Sequence, residues 1–163
     1  MKDAGEQKAD LPDEVLSRTI AALIVFKRYA PRTTVSGCVI FMEIARRGLK
    51  SHVLDLPNNA ELSNLTDTSK SAVGHLIASM TPKGRARAGR PSPSDDDGFG
   101  LIETNDWLQG RRVSAYVLTE KGRACLQEMV QALAGDQPIE PLRPHDMNSL
   151  FKLALIDAGG RND

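Results

Sequence analysis

Apolar residues recur along this chain at helical spacing in some stretches and in short strand-like runs in others, and those spacings divide it into elements. From Pro12 to Tyr29, the residues Val15, Leu16, Ile20, Leu23 and Ile24 form one stripe of a first helix. Pro12 suits a first helical turn, Asp13 and Glu14 favour the positive end of the helix dipole, and Pro31 stops the helix. Thr34 can cap a second helix from Val35 to Arg47. This helix is apolar nearly all round through Val35, Cys38, Val39, Ile40, Phe41, Met42, Ile44 and Ala45. A helix with so little polar surface is expected in the middle of a core. Arg46 and Arg47 complement its negative end, and Gly48 is a natural stop.

A short extended segment, His52 to Leu56, runs into Pro57, and Asn58 to Asn64 reads as a short helix with Leu62 and Leu65 inward. Thr66, Asp67 and Thr68 form a turn able to cap the next helix, Ser69 to Met80. That helix has Ala72, Val73, Leu76, Ile77 and Met80 on one side, and Lys70, Ser71, Gly74 and His75 on the other. Two short helices joined by a tight polar turn make a helix-turn-helix pattern. Periodicity is lost from Thr81 to Gly98, which reads as a flexible loop. Gly100 to Thr104 and Val113 to Leu118 are strand-like, with Asn105 to Arg112 between them, and predict a β-hairpin. Thr119 can cap a long helix to about Ala134, striped by Leu126, Met129, Val130 and Leu133. Pro138, Pro141 and Pro144 make a stiff linker. Asp146 caps a last helix in which Met147, Leu150, Phe151, Ala154 and Leu155 keep strict amphipathic spacing.

The order of elements predicts a mainly α protein with a small β-hairpin wing (α+β), that is, a winged helix-turn-helix with N- and C-terminal dimerisation helices. Residues 1–11 are expected to be disordered, 12–135 to form the winged-helix domain with its loop at 81–98, and 136–163 to form the linker and final helix. Apolar residues make up 40% of the 163, enough for a core, but aromatics are only 4%, so that core must be mostly aliphatic. No apolar run reaches the roughly 18 residues that a bilayer requires, and the acidic, polar N-terminus does not read as a signal peptide. Cys38 and Cys125 lie far apart on helical patterns, which fits buried thiols in a reducing cytoplasm.

Formal net charge is zero, which argues against coating nucleic acid by bulk charge, yet Asp67 to Arg90 holds one acid against five bases. A neutral chain with a basic middle suits one-sided contact with a polyanion. The helix from Ser69 has a dry side to dock it and a polar side free to enter a major groove, which is wide enough for one helix. Thr68, Ser69, Lys70, Ser71, Gly74 and His75 are the candidate contacts there. Arg111 and Arg112, at the hairpin turn, could reach the backbone or minor groove, and Arg85 and Arg87 are candidate phosphate contacts from the loop. No paired carboxylates, nucleophile–base pattern, glycine-rich phosphate loop or cysteine–histidine spacing points to an enzyme, a cofactor or a metal. Asp95, Asp96, Asp97 and Gly98 lack the alternating ligands of a calcium loop.

Gly100-Leu101-Ile102, then Arg111-Arg112-Val113, then Leu118-Thr119-Glu120-Lys121-Gly122-Arg123 resemble the MarR family of winged-helix regulators, as does Ser69-Lys70-Ser71-Ala72-Val73. The resemblance spans roughly Val35 to Leu133. It implies a homodimer bound to double-stranded DNA at a pseudo-palindromic operator, most often as a repressor. It also implies a possible small-molecule effector or an oxidisable cysteine. Dimer contacts would come from the terminal helices, here Leu16, Ile20, Leu23, Leu150, Phe151 and Leu155. Three features depart from the family. Trp107 and Gly110 stand where wing aspartates are usual, Gly74 and His75 stand where a hydroxyl and an arginine are common, and the segment 81–98 is longer than the usual link. The competing expectation is a winged-helix protein-interaction module without specific DNA binding.

Overall fold

A computed structural model describes residues 11–48, 57–82, 98–105 and 115–142. Among these residues the protein is mainly helical, with five helices and one two-stranded antiparallel sheet. In chain order they are α1 (Leu11–Tyr29), α2 (Val35–Gly48), α3 (Asn59–Thr66), α4 (Lys70–Met80), β1 (Ile102–Asn105), β2 (Ala115–Leu118) and α5 (Glu120–Ala134). The strands pair in the register Ile102 with Leu118 through Asn105 with Ala115. None of the described helices is long and apolar enough to cross a membrane.

α2 is the central post, as its composition predicts. Cys38, Ile40, Phe41, Ile44 and Ala45 are buried, and the helix opens to solvent at Val35, Met42 and Arg46. Phe41 meets Phe26 of α1 with ring centroids 5.4 Å apart, a tilted aromatic pair in an otherwise aliphatic core. Ile77 and Met80 of α4, Leu101 and Ile102, Tyr116 and Leu118, and Cys125 and Met129 of α5 complete the same cluster.

α1 departs from expectation. The residues it buries are Ala22, Val25 and Phe26, whereas Val15, Leu16, Ile20 and Ile24 of the predicted stripe are exposed, and Leu23 is half-buried against the core. The helix has two apolar faces, and the one packed toward α5 carries Ala22, Val25 and Phe26. Polar locks on that side fix the choice. The Tyr29 hydroxyl donates to Glu128 Oε1 at 2.6 Å, Arg28 pairs with Glu128 at 3.2 Å, and Arg18 donates to the Leu133 carbonyl. The Glu128 carboxylate beside it, together with partial burial, pushes the Tyr29 phenol up to about 12.

Smaller corrections follow from caps. α4 is capped by Ser69 rather than by the preceding turn, and so begins at Lys70. Leu65 and Leu133, expected inward, are exposed. The first strand starts at Ile102, two residues later than predicted, because Gly100 turns the chain with φ of +65° and Leu101 bonds back to α4.

The ends of the segment 83–97 are pinned together. Gly98, Phe99, Gly100 and Leu101 donate their amides to the carbonyls of Pro82, Ser79, Thr81 and Met80, the last at 2.7 Å. After α5, Gln131 donates to the carbonyls of Gly135 and Gln137, and Gln127 accepts the Leu142 amide at 2.8 Å. Residues 135–142 therefore fold back along α5. Residues 1–10 of the segment 1–11 expected to be disordered, the contacts Arg85, Arg87, Arg111 and Arg112, the hairpin turn with Trp107, and the final helix with Leu150, Phe151 and Leu155 lie outside the described residues, while Leu11 is already the first residue of α1.

Candidate nucleic-acid interface

α3 and α4 are positioned by capping chemistry. Asn58 accepts from the Ala60 and Glu61 amides while Glu61 accepts the Asn58 amide at 3.0 Å, a complete capping box. α3 ends where Asp67 takes the left-handed conformation, φ 49°. Asp tolerates that region better than most residues. The three-residue turn Asp67–Ser69 is closed by the Thr68 amide on the Ser63 carbonyl at 3.2 Å and by the Ser63 hydroxyl on the Thr68 carbonyl.

Six of the candidate contacts, Thr68, Ser69, Lys70, Ser71, Gly74 and His75, lie among the described residues. Thr68 is half-buried, with its hydroxyl paired to that of Thr66 inside the turn. The Ser69 side chain accepts the Ala72 amide at 3.2 Å as the N-cap of α4. These two serve the turn. Lys70, Ser71 and His75 are exposed on the solvent side, opposite the buried Val73, Ile77 and Met80. Ser71 Oγ and His75 Nε2 lie 3.5 Å apart, one helical turn from each other on the same face. A Cβ added at Gly74 would meet nothing within 4 Å. The structure thus brings Lys70, Ser71, Gly74 and His75 together on one open face. Leu16 and Ile20 lie on the exposed side of α1, away from this face in sequence and helix, and Leu23 sits at its edge.

Sequence reasoning missed two residues that hold this platform. Glu43 binds Arg46 through two contacts of 2.7 Å and Arg47 through one of 2.7 Å, and Arg47 reaches on to Glu61 of the capping box at 3.0 Å. α2 is thereby braced to the start of α3. The i, i+3 and i, i+4 spacing of Glu43 with the two arginines was the available signal. Tyr116 is the second: its hydroxyl donates to Asn59 Oδ1 at 2.8 Å and ties β2 to α3. No local pattern announces a contact across 57 positions.

The guanidinium of Arg46, and then that of Arg47, hold the Glu43 carboxyl down at about 2 against the opposing effect of burial. A depressed carboxylate stabilises the fold at pH above its ordinary value near 4.5, and that contribution is lost as pH falls through about 2. Glu43→Gln is expected to remove this component. In acid titrations followed by far-UV circular dichroism, the variant should lose less stability than the parent between those two pH values. Identical losses would show that the brace does not contribute.

Cys38 and Cys125 are buried and free. Burial pushes their thiols up to about 11 and about 12, which keeps them protonated and poorly nucleophilic. Among the described residues, no group of three or more His, Cys, Asp or Glu side chains is placed to hold a metal ion. No family model, curated protein or solved structure matches this chain.

Proposed function

We propose that the chain is a homodimeric, sequence-specific DNA-binding regulator of the winged-helix type, acting as a repressor. In this reading α3 and α4 are the helix-turn-helix and α4 enters the major groove, while the ribbon that contains β1 and β2 is the wing, with Arg111 and Arg112 toward the DNA backbone.

One observation carries the reading. Gly74 sits in the interior of an exposed helix, where glycine costs about 1 kcal/mol relative to alanine. Among the described residues nothing needs the space, since the position of its missing Cβ is open. The neighbours on that face are a cation, a hydroxyl and an imidazole, all solvent-exposed. A bare helical backbone flanked by hydrogen-bonding groups is what close approach to base edges and phosphates requires.

Replacing Lys70 and His75 together by alanine tests it. Selection from a genomic DNA pool should first identify a bound fragment. Fluorescence anisotropy on that fragment should then show a loss of roughly 10- to 100-fold, with a shallower salt dependence, because phosphate contacts release counterions. Failure of the parent to bind any pool fragment at low salt would overturn the reading. Retention of a protein partner by the double variant, with no DNA bound by the parent, would favour the interaction module instead.

A further inference from the structure

The turn between α3 and α4 leaves one polar side chain over. Thr66 and Thr68 pair their hydroxyls with each other, Ser63 donates to the Thr68 carbonyl, and the Ser69 side chain accepts the Ala72 amide. Asp67 lies among them, exposed, and its carboxylate has no hydrogen bond or ion pair among the described residues. Its backbone serves the turn, through the left-handed conformation and an amide bonded to the Ser63 carbonyl. Its side chain does not.

Two features make an acid costly at this position. Glycine is the usual residue at a left-handed helix end and asparagine the next, since both take that conformation readily. Asp67 also closes α3, whose carbonyl end disfavours a negative charge. The positive end of α4 comes two residues later, and there the Ser69 cap already takes an amide. Asp67 is the one acid between positions 67 and 90, a stretch with five bases. Lys70, three residues on, is exposed and does not pair with it.

We propose that Asp67 is a specificity-determining residue that selects a cytosine in the major groove of bound DNA. The assignment rests on the DNA-binding reading above and names what that site reads. A recognition helix presents its N-terminal end to the base edges, and Asp67 stands just ahead of that end of α4. An ionised carboxylate can only accept hydrogen bonds. On its major-groove edge cytosine offers the N4 amino donor and no acceptor of its own. Guanine shows the acceptors O6 and N7, thymine shows O4, and adenine sets N7 beside its N6 amino group. The Asp67 carboxylate therefore bonds cytosine, is repelled by guanine and thymine, and meets adenine with one oxygen satisfied and the other facing N7. Phosphates repel it too, so the charge that selects the base also weakens binding to DNA that lacks it.

The test starts from the fragment selected out of a genomic pool. Each base pair of its half-site is replaced in turn, and affinity is read by fluorescence anisotropy. The parent should show a position where changing cytosine to thymine weakens binding about tenfold or more. Asp67→Gly and Asp67→Asn both suit the left-handed turn, and each should cut that penalty to less than about threefold. Both should bind random-sequence duplex several-fold more tightly than the parent at low salt, and both should melt at or above the parent temperature. An equal cytosine-to-thymine penalty in parent and variants, or no position in the parent where that change matters, overturns the assignment and leaves DNA binding standing. Lower melting of both variants with the penalty unchanged would give the carboxylate to the start of α4 instead, and overturns it equally. A parent that binds no fragment overturns the proposed function, and this assignment with it.

Discussion

Gly122→Ala is expected to cost about 3 kcal/mol of folding stability, although it adds a single methyl group. The new Cβ would lie 1.9 Å from the Leu101 carbonyl oxygen and 2.9 Å from its carbon. Both belong to backbone, which cannot swing aside as a side-chain tip can. The same carbonyl accepts the Thr119 amide at 3.1 Å, and the Thr119 hydroxyl both donates to the Gly100 carbonyl and accepts the Gly122 amide. Moving Leu101 would therefore loosen the start of α5 and the entry to β1 together. Denaturant titration should show a lower midpoint with an unchanged slope, and the melting temperature should fall by roughly 6–12 °C. A variant as stable as the parent would mean that α5 does not approach the strand this closely.

Gly74→Glu is expected to do the opposite to the two properties. Its side chain enters open space, so stability should be unchanged or slightly higher, since glycine is the poorer helix former. Under the DNA-binding reading, a carboxylate would be placed between Lys70 and the groove. Like-charge contact costs several kcal/mol at an interface, so affinity for the selected fragment should fall by about 100-fold or more. Anisotropy titration and thermal melting on the same sample separate the effects. Full DNA affinity in Gly74→Glu would remove α4 from the interface.

The sequence foretold the elements best where local chemistry decides them. Ser69, Thr119 and the Asn58/Glu61 box stop and start helices within four residues, and these boundaries fall within one or two positions of where periodicity put them. The two-strand pairing was likewise foreseeable, since two strand-like runs flank a turn, although Leu101 and Ile102, and Tyr116 to Leu118, are buried in succession rather than in alternation. The α1 stripe was misread because spacing identifies apolar faces but not which one the rest of the chain will cover. Ala22, Val25 and Phe26 won through contacts with α5, a helix about a hundred residues away, together with the Tyr29–Glu128 lock. The polar face of α4 was readable residue by residue, as Lys70, Ser71, Gly74 and His75 alternate with Val73 and Ile77 in sequence. The division of labour within it was not. Only three-dimensional placement shows that Thr68 and Ser69 spend their hydroxyls on the turn. Glu43 combined both cases: its local arginine partners were visible, but the bridge from Arg47 to Glu61 was not.

The four backbone hydrogen bonds that join 98–101 to 79–82 fix the phase between α4 and β1 at their junction. These bonds join the helix to the strand directly, so the junction itself does not require a fixed number of residues between its two ends. Such a site can gain or lose residues during evolution, or accept an inserted epitope, with the helix and the ribbon keeping their mutual alignment, because closing a longer loop adds only about 0.6 kcal/mol for each doubling in length.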